Sequence, residues 1–163
     1  MAKKEYKSSA EKNREAFEAL TEIAGTVPPQ ALELEEAVLG ALMLDKDSIV
    51  TVQEFYDPVH RTIYKAIEDL SRELKPIDLY TVTERLKSEG KLKEVGGAPY
   101  LAQLTQKVGS AAHVEFHAKI IAQKYVQREL IRSSTEIQRM SYDETKDVTE
   151  LIGFAEKEIF RVA

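Results

Sequence analysis

The stretch that decides the fold reads AAHVEFHAKIIAQKYVQRELIRSSTEIQRM over residues 111–140, SYDETKD over 141–147 and VTELIGFAEKEIFRV over 148–162. No proline or glycine interrupts residues 111–140. Val114, Ala118, Ile121 and Tyr125 recur at helical spacing on one phase, and Leu130, Ile131, Ile137 and Met140 carry on with a shifted phase. Asp143-Glu144-Thr145-Lys146-Asp147 has no apolar residue to continue either phase and reads as a turn. Beyond it Val148, Leu151, Ile152, Ala155, Ile159 and Val162 make one stripe, with Phe154 and Phe160 off it. Two long helices joined by a short polar turn predict an antiparallel helical hairpin. Such a hairpin buries one stripe per helix against itself. The apolar residues left over predict packing on the rest of the chain or on another subunit, with contact between subunits put first.

Upstream, residues 27–109 read as a compact block of several helices, so the fold class is all-α: a multi-helix globular block followed by the hairpin of residues 110–163. Val27-Pro28-Pro29-Gln30 breaks the chain and sets up a helix over Leu32 to Leu44, with Leu34, Val38, Ala41, Leu42 and Met43 inward and Glu33, Glu35 and Glu36 favouring its positive N-terminal end. A short helical piece from Asp47 carries Ile49, Val50 and Val52. Asp57-Pro58 is an N-cap followed by proline in the first turn, and Val59, Ile63, Tyr64, Ile67 and Leu70 then keep helical spacing. Asp78 caps a further helix with Leu79, Val82 and Leu86 inward, stopped at Gly90. Gly96-Gly97-Ala98-Pro99 is a tight turn, and a helix from near Pro99 carries Tyr100, Leu101, Leu104 and Val108 up to Gly109-Ser110. Residues 1–26 form an N-terminal extension, either a polar tail or a short amphipathic helix on Phe17, Leu20, Ile23 and Ala24.

The 163 residues carry a formal net charge of -5, with 43% hydrophobic and 31% charged residues. That suits one helical domain with much charged surface. The acidic balance argues against duplex DNA as the main ligand of this stretch, because phosphate binding favours a basic excess. There is no cysteine, so disulfides, thiolate metal sites and a cysteine nucleophile are excluded. No apolar run approaches the roughly 20 residues of a membrane span, and the charged start Met1-Ala2-Lys3-Lys4-Glu5 leads into no signal-peptide core. A cytoplasmic location with no membrane partner is the expectation.

The motifs that carry chemistry are missing from the sequence. It has no G-x-x-x-x-G-K-[ST] phosphate loop, no G-x-G-x-x-G and no G-x-S-x-G elbow. His113 and His117 share a helix face with Glu115 between them, but the order is not H-E-x-x-H and no third ligand is evident, so exposed helix-surface histidines are expected rather than a metal site. His60, behind Pro58, is expected in a packing or polar contact. Glu35 and Glu36 are expected on a solvated helix face. No catalytic, cofactor or metal residue is therefore assigned. A competing reading takes Asp78–Leu92 as the first part of a helix-turn-helix, with Gln103, Gln106 and Lys107 on its second helix as a nucleic-acid surface.

Several of these segments, in this order, resemble the N-terminal domain of DnaB-type replicative helicases. The resemblance rests on residues 28–45 (PPQALELEEAVLGALMLD), 55–64 (FYDPVHRTIY), 76–82 (PIDLYTV), 95–101 (VGGAPYL), 111–121 (AAHVEFHAKII), 128–132 (RELIR) and 155–160 (AEKEIF). Each block alone is weak; their ordered combination from about Val27 to the end is specific. One departure is the short passage from Val52-Gln53-Glu54 to Phe55, where the family has a longer loop. The other is that the family continues into a motor with a phosphate loop, which this sequence does not show.

The resemblance implies a collar domain rather than an enzyme. It implies pairing through the hairpin, three pairs forming a collar over a hexameric motor ring, and docking of the primase C-terminal domain and a helicase loader. ATP, magnesium and most DNA contact would belong to the motor. Matching of motifs places the family's positions for primase contact, or its modulation, on Glu33, Tyr100, Ile131 and Ile137.

Overall fold

The computed structural model describes Arg14, Glu15, Glu18 and residues 27–45, 51–52, 54–108 and 111–163. Among the described residues the elements are helices, with no strand. They are α1 (Leu32–Leu44), α2 (Pro58–Arg72), α3 (Leu79–Ser88), α4 (Gly97–Gln106), a 3-10 turn (Ala111–His113), α5 (Val114–Ser141) and α6 (Val148–Val162). The all-α expectation holds. The chain divides into two compact units. One is Gln30–Tyr125; the other holds Val126–Ala163 with the described residues of Met1–Pro29. The division falls within α5, where the apolar phase shifts.

The caps of the first unit follow from sequence. Asp57 Oδ1 accepts from the Val59 amide at 2.8 Å while Pro58 occupies the first helical turn, where a missing N–H costs nothing. Asp78 and Thr81 form a reciprocal capping box at the start of α3. Both α2 and α3 end in the same closure. Lys75 donates to the Leu70 carbonyl and Leu74 to Ser71; Lys91 donates to Leu86 and Gly90 to Lys87. The left-handed residue is Gly90 in one and Leu74, at φ 56°, in the other. A β-carbon there costs about 1–2 kcal/mol, and Leu74 is 93% exposed, so packing offsets little of it.

The core of this unit is one cluster. Val38, Leu39, Ala41, Leu42 and Met43 from α1 meet Ile63, Ala66, Ile67 and Leu70 from α2, Val82 and Leu86 from α3, and Leu101 and Leu104 from α4. Val52, Phe55 and Val95 come from the connections, and Val114, Ala118 and Ile121 from the first half of α5. Each fully buried large aliphatic side chain contributes about 1.5–3 kcal/mol. Gly40 is placed by contact with α4: a Cβ there would lie 2.2 Å from the Leu104 carbonyl oxygen. The glycine costs helix propensity, about 1 kcal/mol, and allows the two backbones to touch.

Two local expectations are adjusted. The fourth helix starts at Gly97, before Pro99, because Gly96 takes a left-handed turn (φ 102°) and serves as its N-cap. Of the short helix expected from Asp47, Ile49 and Val50 lie outside the described residues. Val52 is buried and not helical, and its amide donates to the Tyr64 hydroxyl at 3.1 Å. The amphipathic helix considered for Phe17, Leu20, Ile23 and Ala24 also lies outside them. Arg14, Glu15 and Glu18 are helical, with Arg14 paired to Glu18.

In the second unit α5 and α6 run antiparallel across the turn at residues 142–147, as the hairpin reading expects. Glu129 receives Arg161 at 2.8 Å, and Ser133 donates to Glu158 at 3.1 Å. Asp147 caps α6 by accepting from the Thr149 amide at 2.7 Å. Arg128 donates to the Pro29 carbonyl at 2.8 Å and ties the segment before α1 to α5.

Candidate functional site

Three polar side chains are buried among the described residues: Glu35, His60 and Ser133. Two of them form the centre of a cluster in the first unit. Glu35, 1% exposed, leaves the first turn of α1 and faces the start of α2. Its carboxylate accepts from the Tyr56 amide, from the Asp57 amide at 3.3 Å and from His60 Nδ1 at 2.7 Å. The expectation that Glu35 and Glu36 lie on a solvated face is therefore wrong for Glu35. A buried carboxylate is tolerated because backbone and imidazole N–H groups replace its water.

The cluster continues outward. His60 Nε2 lies 3.0 Å from the Tyr100 hydroxyl, which is 3.3 Å from Glu36 Oε1, and Lys107 Nζ donates to Glu36 Oε2 at 2.7 Å. Burial first, and then the negative charge of Glu36, push the Tyr100 hydroxyl up to about 12. It stays protonated at neutral pH and acts as a hydrogen-bond donor, not as a nucleophile. The Glu–His–Tyr order has the outline of a catalytic relay, but its terminal hydroxyl is half-buried and committed to neighbours. What this arrangement does chemically is hold a polar surface in place.

Of the residues predicted as sites, Glu33 and Tyr100 lie in this unit. Glu33 is exposed on α1, one turn before Glu36, and so on the same side of the helix as the carboxylate that Tyr100 contacts. Glu35, Glu36, His60 and Lys107 were missed as partners of that surface. The only signals in sequence were an acidic residue at the first turn of α1 and a histidine near an N-cap, and neither says that they meet. Gly96 offers no phosphate cradle: a Cβ on it would lie 3.0 Å from Tyr100 Cβ, so the tyrosine fills that side of the turn. On the alternative nucleic-acid surface Gln103 and Gln106 are exposed, and Lys107 is paired with Glu36. His113 and His117 stand with ring centroids 6.3 Å apart, His113 exposed and His117 half-buried.

Ile131 and Ile137 lie on α5 in the second unit. Ile131 is 43% exposed and Ile137 half-buried. Six positions separate them, about 120° around a helix, so they do not share a face. Beside Ile131, Arg132 pairs with Glu129 at 2.9 Å, and Arg161 joins Glu129 to Glu158 around the buried Ser133. Burial pushes the Glu129 carboxyl up, but the Arg132 and Arg161 hydrogen bonds outweigh it and hold the group below its ordinary range.

The last helix differs from the expected pattern. Leu151, Phe154, Ala155 and Val162 are half-buried, so Phe154 belongs to the packed face. Val148, Ile152 and Ile159 recur within one narrow strip of α6 and are exposed, as is Phe160 at 85%. No residue of α6 is buried over its 15 positions.

A helical block with a buried Glu35–His60 pair beneath Tyr100, followed by a hairpin with an exposed apolar strip, defines an all-α helical domain of two units. Comparison with known proteins makes this specific. The family model of the DnaB-like helicase N-terminal domain matches residues 27–123. The chain is 42% identical over 158 residues to the replicative DNA helicase DnaB of Rhodothermus marinus, covering 93% of this chain and 17% of that one. It is 37% identical over 143 residues to the DnaB of Geobacillus stearothermophilus, covering 84% of this chain and 32% of the relative. The crystal structure of the N-terminal domain of DnaB helicase from Mycobacterium tuberculosis superposes with a TM-score of 0.77 at 36% identity, covering 84% of this chain and 100% of that one. The chain belongs to the DnaB-like helicase N-terminal domain family, and it spans between 17% and 32% of the length of these two helicases.

Proposed function

We propose that this chain is the collar part of a replicative DNA helicase, acting in the cytoplasm in initiation and elongation of replication. It associates with further copies of itself through the hairpin, and it docks the primase C-terminal domain and a helicase loader. Unwinding, with ATP and magnesium, belongs to the motor. The residues here do not fit a nucleotide, because the sequence has no phosphate loop and Tyr100 fills one side of the turn at Gly96. Glu33 and Tyr100 serve docking on the block, and Ile131 and Ile137 serve docking or pairing on the hairpin.

The observation that carries this reading is the face of α6. A 15-residue helix with no buried side chain, yet with Val148, Ile152, Ile159 and Phe160 exposed, has an apolar surface that further burial would stabilise. Sedimentation of the isolated chain at tens of micromolar is expected to show dimers or larger species. Titration calorimetry with the cognate primase C-terminal domain is expected to show saturable binding. A monomer that gives no heat with primase sinks the proposal.

A further inference from the structure

Glu35 and His60 have no part in the reading just given, yet they are the buried titratable residues of the block. Hydrogen-bond bookkeeping gives them one. The Glu35 carboxylate accepts, so His60 Nδ1 carries the proton between them at 2.7 Å. In the neutral imidazole Nε2 is then an acceptor. The Tyr100 hydroxyl has one proton and two acceptors in reach, His60 Nε2 at 3.0 Å and Glu36 Oε1 at 3.3 Å. Glu36 in turn is held by Lys107, whose side chain is 47% exposed. One proton is therefore contested between a buried ring and a surface carboxylate.

We propose that His60, fixed by Glu35, is a positioning residue for the surface around Tyr100: it aims the Tyr100 hydroxyl and, through it, Glu36 and Lys107, so that a partner engaging this surface is registered at the buried pair. The relevance to docking rests on the reading of Tyr100 as part of the docking surface; the positioning itself rests on the geometry alone. The pair joins α1 and α2 at the Asp57 cap, because Glu35 also holds the Tyr56 and Asp57 amides. A polar path of hydrogen bonds thus runs from Tyr100 through His60 and Glu35 to the start of α2.

The test is nitrogen-15 NMR of the His60 ring in the full 163-residue chain. In Tyr100→Phe the Nε2 resonance is expected to move toward the value of an unbonded acceptor while Nδ1 keeps its bonded proton. In Lys107→Ala, which frees Glu36 to compete for the tyrosine proton, Nε2 moves the same way by less. An Nε2 that is unchanged in either variant overturns the positioning. Saturation with primase C-terminal domain is expected to move the wild-type Nε2 resonance; binding without that movement overturns the coupling to a partner. If primase does not bind the wild type, the docking reading falls, and the two variants alone decide the positioning. Where it binds, His60→Gln is expected to weaken it by roughly tenfold, the scale of one buried hydrogen bond, and to have no further effect in Tyr100→Phe. Independent, multiplying effects overturn the claim that His60 acts through Tyr100.

Discussion

The unit Gln30–Tyr125 and the α5–α6 hairpin are built from the same material, amphipathic helices with polar caps, and they close in opposite ways. In the block, α1 buries Glu35, Val38, Leu39, Gly40, Ala41, Leu42 and Met43 out of 13 residues. In the hairpin, α6 buries none. The block finishes its core within the chain and even takes a carboxylate inside. The hairpin holds its register with arginine–glutamate pairs around Ser133 and leaves an apolar strip outside. The apolar core is thus concentrated in one unit and the exposed apolar strip lies on the other.

The largest effect is expected where the block is tightest. In Gly40→Ala the new Cβ meets the Leu104 carbonyl, a backbone atom that moves only if α4 moves. A loss of more than about 3 kcal/mol is expected in urea unfolding, at the upper end for overpacking. A loss below about 1 kcal/mol would show that α1 and α4 are looser than this contact requires. Glu35→Ala comes next. It removes the acceptor shared by His60 Nδ1 and the amides of Tyr56 and Asp57, at about 3 kcal/mol, the upper end for a buried donor left unsatisfied. A cost near zero would mean that water replaces the carboxylate and that the pair is not closed.

How legible these two regions were differs for a physical reason. Asp57-Pro58, Asp78 with Thr81, the stripes of α2 and α3 and the hairpin turn are local features, set by residues within four positions of one another, and sequence shows them. The pairing of Glu35 with His60 spans 25 positions and that of His60 with Tyr100 spans 40. Nothing local marks such partners; an acidic first turn reads as dipole stabilisation whether it is exposed or buried. Phe154 was misplaced for a related reason: the packed face of α6 is set by where Glu158 and Arg161 meet α5, not by the centre of the apolar stripe. Glu33 and Tyr100 were named by resemblance, and only the structure brought Tyr100 to Glu36, one turn from Glu33.

A middle-sized effect separates the two units by pH. The Glu129 carboxyl lies below its ordinary value of about 4.3. A lowered carboxyl contributes stability that is present above its unfolded value and is lost as pH falls through the folded one. The hairpin is therefore expected to lose melting temperature below about pH 4, with a shallower acid limb in Glu129→Gln. Arg161→Ala should cost about 0.5–1 kcal/mol at neutral pH, as expected for a partly exposed pair. An identical acid limb in Glu129→Gln would mean that other carboxylates, such as Glu136 beside Arg139, govern it.

The smallest effect on the folded monomer is the sharpest test of the contrast. Ile152 and Ile159 are 55% and 46% exposed on α6, so the double substitution Ile152→Glu with Ile159→Glu alters side chains only partly covered by the chain itself. Its effect on unfolding in dilute solution should stay within about 0.5 kcal/mol per site, as for other surface changes. Self-association should fall by far more. Two carboxylates placed in an apolar interface each face a desolvation cost of several kcal/mol unless paired, so dimers seen by sedimentation for the parent chain are expected to be absent at the same concentration. If association survives, the strip on α6 is not the contact, and the surplus lies instead on the Leu130 and Ile131 side of α5, where Leu130→Glu with Ile131→Glu gives the complementary measurement. If the monomer itself unfolds, α6 relies on these side chains for its own packing, and the division between a closed block and an open hairpin is wrong.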